Sequence, residues 1–392
     1  MHYRLRYLSL ATATLLLSLT SPLLPLSLKF EPLIAQAQTT QDRKAEVARL
    51  YEEGVQLLDR GQVREALEKF QKALVIVREI GDRKGEGAIL NNIGRVYRNL
   101  GQYPKALEFY QQALAIRTQI GDKAGEGATL NNIGIVYNYL GQYPKALEFY
   151  QQALAISKDI GDKAGEGTTL NNIGLVYNSL GQYPKALEFF SQALAIGKDI
   201  GDKAGEGTTL SNIGGVHDDL GQYAKALEFY QQALAIRTEI GDKAGEGDTF
   251  NSIGVVYAHL GQYSKALEFY QQALAIRTGI GEKAGEGATL NNIGGVYDNL
   301  GQYPKALEFY QQALAILTEI GDKAREGATL NNIGLVYLNL GQYPKALEFH
   351  QQALAILTEI GDKAGEGTIL GNIGLVYRKL ERYQKALGRV IN

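Results

Sequence analysis

One block of 40 residues recurs along most of this 392-residue chain. It reads GQYPKALEFYQQALAIRTQIGDKAGEGATLNNIGIVYNYL from Gly101, and near-identical copies begin at Gly141, Gly181, Gly221, Gly261, Gly301 and Gly341. A degenerate copy precedes them at Gly61, and a shorter one follows at Glu381. A fixed period of this length is typical of solenoids, in which each unit buries its apolar face only against its neighbours. The repeat therefore predicts one elongated domain and argues against an enzyme.

The apolar residues of each unit follow the period of an α-helix, and turn residues interrupt them twice. Gly141 suits the left-handed position that ends a helix, and Pro144 suits the first turn of the next one. Asp162 suits the N-cap of a third helix, because its carboxylate can accept from free backbone N–H groups. The pattern predicts helix A over 123–140 and helix B over 144–160, joined by a tight turn.

These features resemble the tetratricopeptide repeat (TPR) family over residues 43–392. The matching residues are small ones that permit close helix packing and large ones that fill the space around them: Leu130, Ile133, Gly134, Tyr137, Gly141, Tyr143, Ala146, Tyr150 and Ala153. Each unit has 40 residues where the family usually has about 34, a variant similar to the repeats of kinesin light chain and of LGN/Pins adaptors. The resemblance implies an all-α fold, a right-handed superhelical α-solenoid of stacked antiparallel helix hairpins. We expect eight full pairs and a truncated ninth, whose helix A runs from about Lys363 to Leu380.

Residues 1–37 precede the array and have the features of a secretory signal peptide. Arg4 and Arg6 lead into an uncharged stretch of 21 residues, Leu8–Leu28, and Ala35–Ala37 offers the small residues that a signal peptidase recognises. We expect cleavage after Ala37, a linker over 38–42, and a bacterial protein exported to the periplasm or the medium, with no membrane attachment after cleavage. An uncleaved anchor is the alternative, because such a stretch is long enough to span a bilayer.

The composition points away from several function classes. Forty basic and 42 acidic side chains are interspersed and leave a net charge of −2, which does not favour nucleic acid. The chain has no cysteine, so it forms no disulfide. Its histidines after the signal, His217, His259 and His350, lie in different units, so neither a metal site nor a catalytic triad is expected. We predict no enzyme activity and no cofactor.

One face of helix A is the candidate binding surface. In the TPR family the face opposite the buried one lines a concave groove that holds partner peptides. Three positions on this face, those of Ile135, Asn138 and Tyr139, vary most between copies, whereas exposed helix B positions such as Lys145 hardly vary. The variation is explained either by drift after duplication or by adaptation to a partner, and its concentration on one surface favours a partner.

Two rows of asparagines follow this face. The rows are Asn91, Asn131, Asn171, Asn251, Asn291, Asn331 and Asn92, Asn132, Asn172, Asn212, Asn292, Asn332, Asn372. An asparagine inside a helix costs about 0.6 kcal/mol relative to alanine, so the rows require a compensating interaction. In the resembling adaptors such asparagines bind the backbone of an extended peptide; the alternative is hydrogen bonding between repeats. The variable positions add Arg95, Arg98, Asn138, Tyr139, Asn178, Asp218, Asp219, Asp248, His259, Asp298, Arg378 and Lys379.

The sequence therefore predicts a protein–protein interaction scaffold that binds an extended peptide or loop, with an acidic centre that selects a basic segment. One alternative is a regulatory arm or remnant of a larger effector, such as a CHAT peptidase-type protein, because similar arrays precede such domains. Another is a self-assembling spacer that associates through its C-terminal end. The repeat pattern holds through Tyr383–Leu387 and breaks at Gly388, which indicates a gene truncation or frameshift.

Overall fold

The computed structural model describes residues 30–390, which fall into two units, one up to Ala45 and one from Glu46 onward. The described residues form seventeen α-helices and no strand, which confirms the all-α prediction. None of these helices combines the length and apolarity that crossing a membrane requires. The basic and uncharged parts of the predicted signal, Arg4 to Leu28, lie outside the described residues.

Helices of type A and type B alternate along the chain. The A helices are α1 (Phe30–Asp59), α3 (Arg83–Asn99), α5 (Lys123–Tyr139), α7 (Lys163–Ser179), α9 (Lys203–Asp219), α11 (Lys243–His259), α13 (Lys283–Asn299), α15 (Lys323–Asn339) and α17 (Lys363–Val390). The B helices are α2 (Val63–Glu79), α4 (Tyr103–Gln119), α6 (Tyr143–Asp159), α8 (Tyr183–Ile200), α10 (Tyr223–Ile240), α12 (Tyr263–Ile280), α14 (Tyr303–Ile320) and α16 (Tyr343–Ile360). The bounds of α5 and α6 agree with the predicted helices to within one residue.

The turns have the chemistry that the sequence predicts. Gly141 has φ 68°, and the next residue, Gln142, donates its N–H to the Tyr137 carbonyl at 2.8 Å, as in a Schellman motif. Pro144 lies in the first turn of α6. Asp162 caps α7 by accepting from the Gly165 N–H at 2.9 Å. Because each turn uses local contacts only, the same short sequence produces the same turn in every copy.

The C-terminal end of the array differs from the prediction, whereas the boundaries of the signal and the linker stay predictions. Helix α1 begins at Phe30, so the predicted cleavage site and the linker over 38–42 lie inside it. The segment 33–42 contains neither proline nor glycine, so no residue there ends a helix. The last A helix was predicted to end at Leu380, which is wrong, because α17 continues to Val390. Glu381 replaces the glycine that adopts positive φ in the other copies, and a glutamate continues the helix instead.

The core is repeated rather than continuous, as expected for a solenoid. A typical cluster joins Ala146 and Tyr150 of α6 to Ile173 and Val176 of α7, so helix B of one repeat packs on helix A of the next. Within a repeat, Gly134 faces the Tyr150 ring, and a Cβ at that glycine would lie 2.6 Å from the ring. The aromatic residue of helix B therefore requires the glycine of helix A.

The A helices form the inner row of the array. Successive A helices from α3 to α17 approach one another along the whole series, whereas the B helices make their main contacts with the A helices beside them. Elements on the inner side of a curved stack lie closer together than those on the outer side. The exposed side of the A helices is therefore the concave one.

Repeats that are distant in sequence also touch within Glu46–Asn392. The Lys323 N–H lies 3.4 Å from the Leu100 carbonyl, and a Cβ at Gly101 would lie 3.3 Å from the Ala324 Cβ. A cavity of about 490 Å³ lies beside this contact, lined by Arg98 and Tyr139 on one side and by α13 and α15 on the other. The sequence gives no sign of this contact, because it depends on how much each repeat rotates relative to the previous one.

Candidate interaction surface

The predicted groove residues lie on one face of the inner row, which we call the A-helix face. It is formed in each repeat by the positions of Ala128, Asn131, Asn132, Ile135, Asn138 and Tyr139. From the third repeat onward the asparagines of both rows are partly buried, whereas Asn91 and Asn92 are only 9% and 3% exposed. The face is therefore accessible along most of the array and closes at its N-terminal end.

The asparagines of neighbouring repeats hydrogen-bond to each other. In each rung a side-chain N–H of the second row donates to the Oδ1 of the first row 41 residues earlier. The rungs are Asn132–Asn91 (3.1 Å), Asn172–Asn131 (3.1 Å), Asn212–Asn171 (2.9 Å), Asn292–Asn251 (2.9 Å), Asn332–Asn291 (3.2 Å) and Asn372–Asn331 (2.9 Å). Hydrogen bonding between repeats, the alternative left open by the sequence, is therefore present and offsets the helix cost of the asparagines.

The break in both rows supports this role. Ser211 interrupts the first row and Ser252 the second, and these residues are 41 apart, so they are the two halves of one rung. The Ser211 hydroxyl is buried without a partner, and Ser252 donates to the Asp248 carbonyl at 3.0 Å. The two partners of one rung have changed together, as expected if each stabilises the other.

The rungs leave hydrogen-bonding capacity on the face. A carboxamide has two N–H donors and an oxygen with two lone pairs, and each rung uses one donor and one acceptor. The first-row Nδ2 groups and most second-row Oδ1 atoms remain for other partners; Arg95 takes one of them by donating to Asn92 Oδ1 at 3.1 Å. The ladder therefore stabilises the array and still presents donors and acceptors.

The most variable positions also pair between repeats. Asn178 donates to Asp219 at 2.8 Å, and His259 Nδ1 lies 3.0 Å from Asp218 Oδ1. Both pairs again join residues 41 apart. Part of the variation on this face is therefore variation of contacts between neighbouring repeats.

The central aspartates are only partly available to a partner. Asp248 is exposed, but one of its oxygens accepts from Arg277 Nη2 at 2.6 Å. Burial raises the pKa of Asp298, and a hydrogen bond from Asn339 partly offsets this effect. At the two ends, Arg98 donates weakly to Asn99, at 3.3–3.4 Å, and Arg378 and Lys379 are exposed. The face thus has basic ends and an acidic centre whose charge is partly compensated.

The constancy of helix B has a structural cause. Lys145 Nζ donates to Gln142 at 2.9 Å and lies 5.2 Å from the centre of the Tyr137 ring, a cation–π distance. The Tyr137 ring in turn stacks on Phe149. Lys145 is therefore constrained by these contacts although it is exposed. Its constancy does not show how much an unconstrained exposed position would vary, so it gives weaker support for adaptation of the A-helix face to a partner.

A sequence model of one protein family matches the array repeatedly along its length. The model of the tetratricopeptide repeat matches residues 46–119, 85–159, 165–239, 245–319 and 325–389. The chain belongs to the TPR family. Comparison with curated protein sequences gives no match.

Three solved structures are similar to this TPR chain. A Rap protein complexed with competence and sporulation factor has a TM-score of 0.58, 16% identity, and covers 81% of this chain and 99% of its own. The Rap conjugation gene regulator of plasmid pLS20, in complex with the Phr* peptide, has a TM-score of 0.58 and 17% identity. The match covers 80% of this chain and 95% of the regulator. Aspartyl phosphate phosphatase F from Bacillus subtilis has a TM-score of 0.57, 19% identity, and covers 74% of each chain. At these identities the similarity shows the fold.

The TPR array contains functional candidates that the sequence analysis did not select. Glu282 and Arg325 line the 490 Å³ cavity together with Arg98 and Tyr139. They replace the aspartate and the glycine that most copies have in G-D-K-A-G-E-G. The sequence signal for Glu282 and Arg325 is that each departs from an otherwise constant position of the repeat. Both residues line the cavity where distant repeats touch.

A second overlooked series lies between consecutive repeats of this TPR array. One B-helix position, which we call the junction position, reads Val77, Arg117, Ser157, Gly197, Arg237, Arg277, Leu317 and Leu357 from the first repeat to the eighth. All of these residues are buried in the structure. Residues that differ this much in size and charge at one interior position are a stronger signal than drift on an exposed surface.

The remaining histidines of the TPR array do not form a site together. His217 stacks on Phe229 and contacts Gln222, and His350 is fully buried in helix α16. Within residues 30–390 no group of histidine, aspartate and glutamate side chains has the geometry of a metal site. The candidate surface of this TPR protein is therefore the A-helix face and the cavities beside it.

Proposed function

We propose that this TPR array is a protein-interaction scaffold that holds an extended peptide or loop of a partner against the A-helix face. The observation that carries the proposal is the ladder itself, which repeats along the array and keeps unused amide donors and acceptors toward solvent. Such groups bind peptide backbone with little regard to sequence. A Rap structure of similar fold is in complex with a peptide, which supports a peptide as the ligand class.

Charge supplies the selectivity in this proposal. Asp218, Asp219 and Asp298 lie near the middle of the array, whereas Arg95 and Arg98 lie near its start. A segment that is basic in its middle fits this order, because opposite charges at short range attract and like charges repel. The A-helix face thus fixes the backbone, and the central aspartates select the side chains.

The experiment selects binding peptides from a random library displayed on phage and measures their affinity by fluorescence anisotropy. Changing Asp218, Asp219 and Asp298 together to asparagine keeps size and hydrogen bonding and removes three charges. We expect affinity to fall about tenfold, because ion pairs near a protein surface contribute about 0.2–1 kcal/mol each and three are removed. The salt dependence should fall as well, because screening acts on charged contacts.

A matched control changes three exposed carboxylates on B helices, Glu148, Glu188 and Glu308, to glutamine. This variant has the same net charge as the first but leaves the A-helix face intact, so we expect wild-type affinity. Equal losses in the two variants would mean that net charge, and not the A-helix face, governs binding, and the proposal would be abandoned.

A further inference from the structure

Arginine fills the junction position in three repeats. Arg117 and Arg237 make the same buried contacts with the following A helix, whereas Arg277 donates to Asp248 in the A helix of its own repeat. Arg237 is 6% exposed, and its Nη1 donates to the Gly245 carbonyl at 2.5 Å and to Thr249 Oγ1 at 2.8 Å. Arg117 makes the same two contacts, with Gly125 at 2.7 Å and Thr129 at 2.8 Å. The structure thus shows twice how this array binds a guanidinium group.

The junction between the fourth and fifth repeats has this geometry without the arginine. Gly197 takes the junction position in α8, and a cavity of about 330 Å³ lies where the side chain would be. Its walls include Gly167 of α7 and Gly205 and Thr209 of α9. Gly205 and Thr209 are the counterparts of the glycine and threonine that bind Arg117 and Arg237.

Two acceptors in this cavity, the Thr209 hydroxyl and the second carboxylate oxygen of Asp202, are left without a donor by the described residues. Thr209 is 4% exposed, and its hydroxyl makes no hydrogen bond with any residue of the described part of the chain, unlike Thr129 and Thr249. The Thr289 hydroxyl also lacks a partner within that part of the chain, at the junction where Arg277 binds Asp248 instead. Asp202 uses one carboxylate oxygen to accept from the Gly205 N–H at 2.9 Å. The second oxygen of its counterpart Asp122 lies 3.9 Å from the Arg117 Nε. The hydroxyl of a buried threonine and a carboxylate oxygen thus line the space that an arginine occupies elsewhere.

We propose that the cavity at Gly197 binds an alkylguanidinium group. A guanidinium is planar and carries several N–H donors in fixed directions, so it reaches the Gly205 carbonyl, the Thr209 hydroxyl and the Asp202 carboxylate together. An ammonium group is a compact point charge and does not match this arrangement. The alkyl part lies along Gly167, since a Cβ at the equivalent Gly207 would lie only 3.4 Å from Cγ of Arg237.

An arginine side chain of a bound peptide is the source that fits best. Asn171, a first-row asparagine of the A-helix face, lines the same cavity, so the cavity is continuous with the surface proposed for the peptide. This identification of the source rests on the proposed function. A free alkylguanidine offers the same chemistry and is the other source that the experiment separates.

The first arm of the test uses small probes on the full chain. Isothermal titration calorimetry compares 1-butylguanidinium with 1-butylammonium, which has the same alkyl chain and charge. We expect the guanidinium to bind at one site and about tenfold more tightly, because each directed hydrogen bond to a charged group adds affinity. Equal binding of the two probes, or no binding of either, overturns the proposal.

Three variants locate the site. Gly197→Arg places the chain's own guanidinium in the cavity, as at Arg117 and Arg237, and abolishes probe binding. Gly197→Ala is the matched control: its Cβ lies 3.5 Å from Glu206, so it fits, leaves the cavity open and keeps binding. Thr209→Val removes the free hydroxyl at nearly constant size and weakens the guanidinium about tenfold, with little effect on the ammonium. Probe binding that survives Gly197→Arg contradicts the assignment, and circular dichroism verifies that each variant is folded.

The second arm tests the source with one of the selected peptides that contains arginine. Replacing its arginines one at a time by lysine should reveal one position at which affinity falls and at which Gly197→Arg has no further effect. If butylguanidinium binds but no arginine shows this coupling, the ligand is a free alkylguanidine. If peptides bind the A-helix face but butylguanidinium does not bind, the proposed function stands and the guanidinium site is wrong.

Discussion

At the scale of single residues, His350 is a buried polar group at a helix B position where the other repeats have phenylalanine or tyrosine. It is fully buried, and neither ring nitrogen has a hydrogen-bond partner. The same position in another repeat is Phe190, also fully buried, and both rings face a glycine of helix A, Gly334 and Gly174. Burial lowers the pKa of His350 because the charged imidazolium is poorly solvated there.

The sign of the resulting pH dependence follows from this shift. The unfolded chain has a histidine pKa of about 6.5, so below that pH it binds a proton that the folded chain does not. The free energy of unfolding that depends on a neutral His350 is therefore fully present above about pH 7, and it decreases as the solution becomes more acidic. We expect His350→Phe to remove this acid-side loss and to raise stability by about 1–3 kcal/mol, because two unpartnered polar atoms disappear. Urea unfolding followed by circular dichroism at pH 5 and pH 8 measures both effects; an unchanged difference between the two pH values would refute this assignment.

At the scale of helices, the asparagine ladder links each A helix to the next. The rung that is missing between α9 and α11 provides an internal test, because Ser211 and Ser252 stand where other repeats have asparagine. We expect the double change to asparagine to stabilise the array by about 0.5–1.5 kcal/mol, the typical net contribution of one hydrogen bond. Each single change should give little, since it leaves the carboxamide without its partner. A double-mutant cycle from urea unfolding measures the coupling, and additive single effects would show that the rung does not form.

The sequence predicts the helices better than it predicts what connects them. Gly141 and Asp162 act through contacts a few residues away, so the repeat unit alone fixes the turn and the cap. The rung partner of Asn172 is 41 residues away, and its identification needs the register between two helices. The cavity at Gly197 needs three helices at once, and the periodicity does not show which B-helix residues lie between repeats. The continuation of α17 could have been predicted from the sequence, because Glu381 stands where the other copies have the glycine that adopts positive φ and ends helix A.

At the scale of the whole array, the contact between Gly101 and Ala324 joins the second repeat to the eighth. The native chain has no cysteine, so a pair of cysteines at these positions can react only with each other or between molecules. The separation expected for their Cβ atoms, 3.3 Å, is slightly below the value of about 3.5–4.5 Å in disulfides. The Cβ at position 101 would also lie 3.1 Å from the Ala324 backbone nitrogen, so the two repeats must move apart slightly. Cysteine at Gly101 adopts a left-handed conformation at a cost of about 1–2 kcal/mol, which the rest of the fold should tolerate.

We expect the Gly101→Cys/Ala324→Cys variant to oxidise to an intramolecular disulfide. The product should migrate differently from its reduced form on a non-reducing gel while remaining monomeric by light scattering. The control pair, Gly101→Cys with Ala244→Cys, uses the same helix A position two repeats earlier and should remain reduced or link between molecules. If both pairs behave alike, repeats two and eight do not meet in solution.

In the proposed function the partner lies on the A-helix face and not on the outer row of B helices. Site-specific photo-crosslinking tests it most directly, with a benzophenone side chain at Ile135 or Val255 on the A-helix face and, in separate variants, at Gln151 or Gln271 on B helices. With a selected peptide bound, we expect crosslinks from Ile135 and Val255 at positions that advance along the peptide, and none from the glutamine positions. Crosslinks mainly from Gln151 and Gln271 would contradict it.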